Sequence, residues 1–346
     1  MTDKYDLPVF SRLLASSRVR AGLLLLVLAC CGYGIHAEWP QMRTALGQLH
    51  WYSVLASVAA AMAGGACMML AWRAVLADLG SRLPVPAAVR VNFLAQLAKY
   101  VPGAVWSIAA MVELGHDKAV PRRRGGASIA IGLAISVAVG LAVAAVALPL
   151  ASSAAARHYR WIVAVIPLIA VCLYPPILGR LADRALTLAR MQPLERRPTL
   201  RGLVSAVGWT ALGWLFLGFQ VWVVLTDVTS HAQHSFLLAL GAYALAWSAG
   251  LLLVVFPSGI GPRDLILVAT LATVVPHGAA IAIALVVRAS TTASDLAWGA
   301  IALAIGRSRP ALGRRAPGRH RRPAEERVPV RVEAAASSEP VTVTPS

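Results

Sequence analysis

The sequence predicts an all-α protein: a polytopic transmembrane helix bundle of about eight spans, with at least one re-entrant or broken helix and a disordered basic C-terminal tail. Three observations predict it. Hydrophobic residues make up 58% of the chain and charged residues only 14%, against about a quarter charged in soluble domains. The charge is missing in blocks, since residues 21–34, 127–153 and 237–258 contain no acidic or basic side chain. About twenty residues of helix cross a bilayer core, and a backbone in lipid must satisfy its own hydrogen bonds, so such runs are helical and lipid-buried. The net charge of +17 lies in clusters flanking these runs. That placement fits the positive-inside rule and anionic lipid headgroups better than nucleic acid.

From the N-terminus, residues 1–18 carry Lys4, Arg12 and Arg18, with Arg20 just beyond them, and are expected in the cytoplasm. The run 19–37 reads as a first span, retained as an anchor because further spans follow it. A second span falls at 51–76. The stretch 88–112 is apolar but interrupted by Asn92, Gln96, Lys99, Pro102 and Gly103. Were it to cross, the loop with Lys118, Arg122, Arg123 and Arg124 would lie outside. Re-entry on one side keeps that loop in the cytoplasm, together with the basic loop 180–201 and its six Arg. Spans follow at 127–151, 160–180 and 203–226, and the loop 227–235, without Lys or Arg, falls outside. The last spans are expected at 236–256, 260–276 and 278–305. Between the first two lies a second break, residues 256–264, with two Pro and two Gly. The apolar stretch 265–275 is too short to span alone. Residues 306–346 form the tail, whose Arg-rich part is expected on anionic headgroups. The organisation is therefore a cytoplasmic segment 1–18, a transmembrane domain 19–305 and a tail 306–346. The location is the plasma or inner membrane, with both termini cytoplasmic.

Interrupted helices at matching places in two halves point to a transporter-like binding site. At the first break stands Lys99, one of only three lysines among 32 basic residues. A charge at membrane depth costs about 2.5–3.5 kcal/mol and needs a partner or water. Lys99 reads either as a contact to a lipid phosphate or other anion, with open backbone N–H groups around Gly103 as further donors, or as a lysine snorkelling to the interface. At the second break Arg263 could meet a headgroup while Asp264 caps the following helix; a capped helix start at an interface is the plainer reading. Arg288 and Asp295 lie seven apart on one face of the last span, with Ser290, Thr291, Thr292 and Ser294 between them. They read as a polar seam facing the bundle, structural rather than functional. Acids within apolar stretches are few: Glu113, Asp264 and Asp295. Trp39, Trp51, Trp106, Trp161 and Trp209 lie near span ends, as an aromatic belt would. Cys30, Cys31, Cys67 and Cys172 fall in apolar spans as small hydrophobes. No HExxH, P-loop, G-x-S-x-G or CxxC pattern occurs, so no catalytic residue, metal or cofactor is assigned. His231 and His234 have only Asp227 nearby and make a poor metal site.

The first break reads Gln96-Leu97-Ala98-Lys99-Tyr100-Val101-Pro102-Gly103, followed by Trp106; the second reads Pro257-Ser258-Gly259-Ile260-Gly261-Pro262-Arg263-Asp264. Together they resemble the integral-membrane domain of lysylphosphatidylglycerol synthases/flippases and their stand-alone relatives. There the elements read Q-x-x-K-Y-x-P-G and P-G-G-x-G-x-R-E, in this order, and the resemblance covers residues 19–305. Ser258 departs from the glycine, Asp264 from the glutamate, and Pro262 is unusual. Relatives often carry an acidic residue early in the span after the basic loop, whereas residues 127–150 have none. The resemblance implies the lipid-handling half without the soluble aminoacyl-transfer domain.

The expected function is to bind, and to flip, a polar or anionic lipid. The headgroup would sit between the two breaks, among Gln96, Lys99, Tyr100, Pro102, Gly103, Trp106, Pro257, Gly259, Gly261, Arg263 and Asp264. Lys99 and Arg263 would contact the phosphate, and the glycines would permit close backbone approach. Two other readings stay open. One is a membrane-embedded transferase acting on a lipid-linked substrate, which would need a carboxylate or His at the substrate. The other is a non-transporting accessory subunit of a cell-envelope enzyme. Membrane lipids are thus the expected partners, with an envelope enzyme as a further one.

Overall fold

The computed structural model describes residues 38–100, 106–151, 175–188, 197–229, 236–252 and 262–307, with Pro167 alone between two of these segments. They all belong to one compact unit, Met1–Ser308. The described residues form ten α-helices and one 3-10 turn, and no strand occurs among them. In chain order these are α1 Trp39–Gly47, α2 Trp51–Asp78, α3 Val85–Leu97 with the 3-10 turn Ala98–Tyr100, α4 Trp106–His116 and α5 Arg122–Ala151. Then come α6 Pro175–Leu188, α7 Leu200–Val228, α8 Phe236–Leu252, α9 Pro262–Leu271 and α10 His277–Arg307. Four of them, α2, α5, α7 and α10, are long and apolar enough to cross a membrane. They occupy the spans expected at 51–76, 127–151, 203–226 and 278–305. The expected span 19–37, most of 160–180 and the tail 306–346 lie outside the described residues. Helix α1 stands where the sequence predicts only a connection.

Helices α2 and α7 run antiparallel and form the most extensively packed pair. Their ends are tied reciprocally. Asp227, near the end of α7, accepts the backbone N–H of His50 (2.9 Å) and the Ser53 hydroxyl (3.1 Å) at the start of α2, and lies 3.1 Å from His50 Nδ1. Asp78, at the end of α2, accepts the Thr199 backbone N–H and hydroxyl, both at 2.7 Å, at the start of α7. Each carboxylate therefore satisfies the open donors and the positive dipole end of the other helix. Where the two cross, a Cβ on Gly64 would lie 3.3 Å from the Gly213 carbonyl oxygen, and one on Gly213 3.4 Å from that of Gly64. The small residues let the backbones approach.

Both broken segments are hairpins on this frame. Helix α3 follows the Asp78 end of the pair, and α5 begins beside it, since Arg124 Nη1 donates to the Gly80 carbonyl (3.3 Å) and the Ser81 hydroxyl (3.4 Å). The α3–α4 arm thus leaves and returns at one end, as the charge distribution predicts for 88–112. Helix α8 follows the Asp227 end. Helix α10 starts there too, because the Gly278 N–H donates to Gln41 Oε1 (3.1 Å) on α1, the helix leading into α2. So α8 and α9 are the two arms of a second hairpin, which corrects the separate spans expected at 236–256 and 260–276. The reason is length: the 10 residues of α9 reach about 15 Å, half a bilayer core.

The order long helix, broken hairpin, long helix thus occurs twice, in α2–α5 and in α7–α10. The matching helices have 28 and 29, 13 and 17, 11 and 10, and 30 and 31 residues. One constant shift in numbering carries His50, Gly64 and Asp78 onto Thr199, Gly213 and Asp227. Since α2 and α7 are antiparallel, the second copy is inverted. Packing between the copies is reciprocal as well: α3 lies on α10 as α8 lies on α5, and α1 on α10 as α6 on α5.

Candidate functional site

A cavity of about 290 Å³ lies between the two hairpins, walled by residues of every long helix and by both hairpins. Lys99 reaches it from the 3-10 turn that ends α3. Its Nζ lies 2.6 Å from Asp295 Oδ2 on α10 and 3.5 Å from Gln96 Oε1, and the Tyr100 hydroxyl donates to the same Asp295 oxygen (2.8 Å). The carboxylate is 12% exposed, so the lysine charge is compensated at the cavity wall. Arg263 enters from the first turn of α9. Its Nη2 donates to the Tyr243 hydroxyl (2.6 Å) on α8, and its guanidinium lies over the Tyr243 ring, 4.9 Å from the centroid. Its Nε is buried with no hydrogen-bond partner among the described residues. Gly250 makes this approach possible, as a Cβ there would lie 2.9 Å from Arg263 Cβ.

The polar seam expected between Arg288 and Asp295 is divided. Arg288 pairs with Asp264 across α9 and α10, while Asp295 holds Lys99. Sequence spacing placed both residues on one helix face correctly, but their partners come from other elements. Asp264, expected to cap α9, stands in its first turn with its carboxylate turned to Arg288. Glu113 is not a buried acid: its side chain is 60% exposed and takes two bonds from Arg122, at 3.0 and 2.8 Å. Of the expected site residues, Gln96, Lys99, Arg263 and Asp295 line the cavity together. Tyr100 and Trp106 are half exposed, and Tyr100 reaches the site through Asp295. Pro102, Gly103, Pro257, Gly259 and Gly261 lie outside the described residues, as do His231 and His234.

Sequence reasoning missed the rest of the wall. Tyr243 shares the apolar run of α8 with one other hydroxyl, Ser248, and nothing in the run marks it as a partner of Arg263. Trp214 meets Tyr243 and Trp247 edge-on at 6.3 and 5.4 Å, and Phe93 stacks on Trp298 at 4.3 Å. Thr291 and Ser294, which the sequence already places in the polar seam of the last span, add hydroxyls from α10. Among the described residues no cluster of three or more His, Cys, Asp and Glu could hold a metal ion. The electrostatics favour an anion. Lys99 and Asp295 cancel, whereas the Arg263 charge has the neutral Tyr243 hydroxyl as its hydrogen-bond partner and a spare buried donor, so a bidentate acceptor would complete it. The aromatic and aliphatic wall suits an apolar body attached to that anion.

A family model described as the lysylphosphatidylglycerol synthase TM region matches residues 11–299. Among curated proteins nothing matches this chain.

Proposed function

This chain belongs to the lysylphosphatidylglycerol synthase TM region family of membrane proteins, and from that premise we propose that it binds the anionic headgroup of a membrane lipid in the central cavity and translocates it. The observation that carries the proposal is Arg263: a guanidinium on the cavity wall, held by a neutral phenol, with its Nε buried and without a partner among the described residues. A phosphate would take that Nε and one terminal nitrogen in the paired geometry guanidinium favours. Lys99 would supply the second contact by exchanging Asp295 for the phosphate, which keeps the ammonium paired throughout. Helix breaks at membrane depth are tolerable where they line a polar cavity. The positive-inside rule orients the molecule in the plasma membrane with the Asp78 end cytoplasmic, since Arg82, Arg122, Arg123, Arg124, Arg201 and Arg307 gather there.

Reconstitution into vesicles containing labelled phosphatidylglycerol tests the reading. Charge-assisted hydrogen bonds contribute about 1.5–3 kcal/mol, so Arg263→Ala is expected to weaken headgroup capture about 10- to 100-fold and to slow flipping in step. Unchanged capture and flipping in Arg263→Ala would remove the site.

A further inference from the structure

We propose that headgroup capture is coupled to a proton: as Lys99 passes from Asp295 to the lipid phosphate, Asp295 takes up one proton from water, and headgroup and proton travel together. The inference rests on the reading that the cavity receives an anionic headgroup, and it adds the coupling ion.

The two members of the Lys99–Asp295 pair differ in freedom. The lysine side chain is 37% exposed, stands on the 3-10 turn where α3 ends, and lines the cavity. The carboxylate is 12% exposed and rooted well inside α10. Lys99 can therefore swing its flexible stem to a phosphate held at Arg263, whereas Asp295 stays in the wall. What it keeps is the Tyr100 hydroxyl, 2.8 Å from its Oδ2. One neutral hydrogen bond does not sustain a charge withdrawn from water, and a carboxylate so placed neutralises instead. The incoming phosphate, a like charge, acts in the same direction.

Among the described residues no other cation is placed to take over from the lysine. Arg288, two turns earlier on α10 and so about 10 Å away, is paired with Asp264 of α9. Arg263, with Tyr243 as its partner, is the anchor of the phosphate itself. Helix α2 carries only Arg73 and Asp78. The first donates its Nε to the Leu83 carbonyl (2.7 Å), and the second is bound to Thr199. Arg90 of α3 lies beside Gly306 in the last turns of α10. Helix α1, with Arg43, meets α10 at its start, more than four turns from Asp295. The charges of α7, Arg201 and Asp227, stand at its two ends. Protonation is thus the compensation open to Asp295. It also makes the cargo electroneutral, where a lone headgroup would carry its charge through the transmembrane potential. On release the proton returns to water and Asp295 recovers Lys99.

The test is calorimetry of dihexanoyl phosphatidylglycerol binding to the full chain in detergent, in buffers of different ionisation enthalpy. About one proton taken up per lipid is expected, so capture should tighten by up to about tenfold per unit as the pH falls from about 8 to about 6. The phosphodiester keeps its charge over that range. Asp295→Asn preserves shape and an acceptor for Tyr100, and is expected to bind the lipid without proton uptake or pH dependence. Wild-type capture that Arg263→Ala weakens but that takes up no proton overturns the coupling and leaves the cavity reading intact. Uptake that persists in Asp295→Asn overturns it as well, because another group then titrates, and so does capture that requires sodium at fixed pH. Capture indifferent to Arg263→Ala removes the cavity reading and this inference with it. The proton count is read on the wild type, so it decides the matter even where Asp295→Asn does not fold.

Discussion

Lys99 and Arg263 are both cations on one cavity wall, but they are held in different ways. Lys99 is matched by a carboxylate that is itself nearly buried, and Arg263 by a phenol. Removing one member of a buried ion pair leaves an uncompensated charge, at about 3–5 kcal/mol for a fully buried pair. Lys99 is 37% exposed, so water recovers part of that, and Asp295→Ala is expected to cost about 1–2 kcal/mol. The double variant Lys99→Met/Asp295→Ala removes both charges and should melt closer to wild type than Asp295→Ala does, in thermal unfolding in detergent. If the double variant is the less stable of the two, the pair does not compensate as drawn. The cations were legible in the sequence because a charge in an apolar run stands out. Their partners were not, because Asp295 reaches Lys99 from a helix distant in the chain and Tyr243 reaches Arg263 from the other arm of its hairpin, and a residue pattern along one helix says nothing about which helix lies opposite.

At the scale of elements, the α2–α7 pair is the frame on which both hairpins hang, and its caps carry testable energy. Loss of an N-cap acceptor costs about 1 kcal/mol, so Asp78→Ala and Asp227→Ala should lower stability by similar amounts despite sitting at opposite ends. Gly202→Ala probes the first of these without touching it. A Cβ at Gly202 would overlap the Asp78 carboxylate, so the carboxylate must leave Thr199 and the melting temperature should fall as it does for Asp78→Ala. A wild-type melting curve for Gly202→Ala would mean that Asp78 is not seated on the start of α7. The long helices were legible from uninterrupted hydropathy. The second hairpin was not, because two crossings and one re-entrant hairpin return the following loop to the same side, and charge placement cannot separate them. The shortness of the stretch before Val275 was the available signal, and α9 at 10 residues makes it decisive.

For the whole molecule, the inverted repeat explains why the chain reads as one domain rather than two. Its sequence trace is slight: two aspartates and two glycines at a constant spacing, among helices whose side chains otherwise differ, so hydropathy alone could not reveal it. Its packing is cross-wise. Helix α3 lies on α10 and α8 on α5, with α1 and α6 added to the same two surfaces. Each half therefore finds much of its covering on the other, and α2 has its main partner in α7. A chain cut between residues 190 and 191 should give two fragments that are unstable alone and that co-purify in equal amounts when expressed together, with labelled phosphatidylglycerol capture restored. Co-purification follows from geometry because the fragments share the α2–α7 interface with its two caps, which form only when both are present. A monodisperse, helical fragment 191–346 obtained in detergent without its complement would show that the second repeat covers its own core, and the cross-packed arrangement would have to be abandoned.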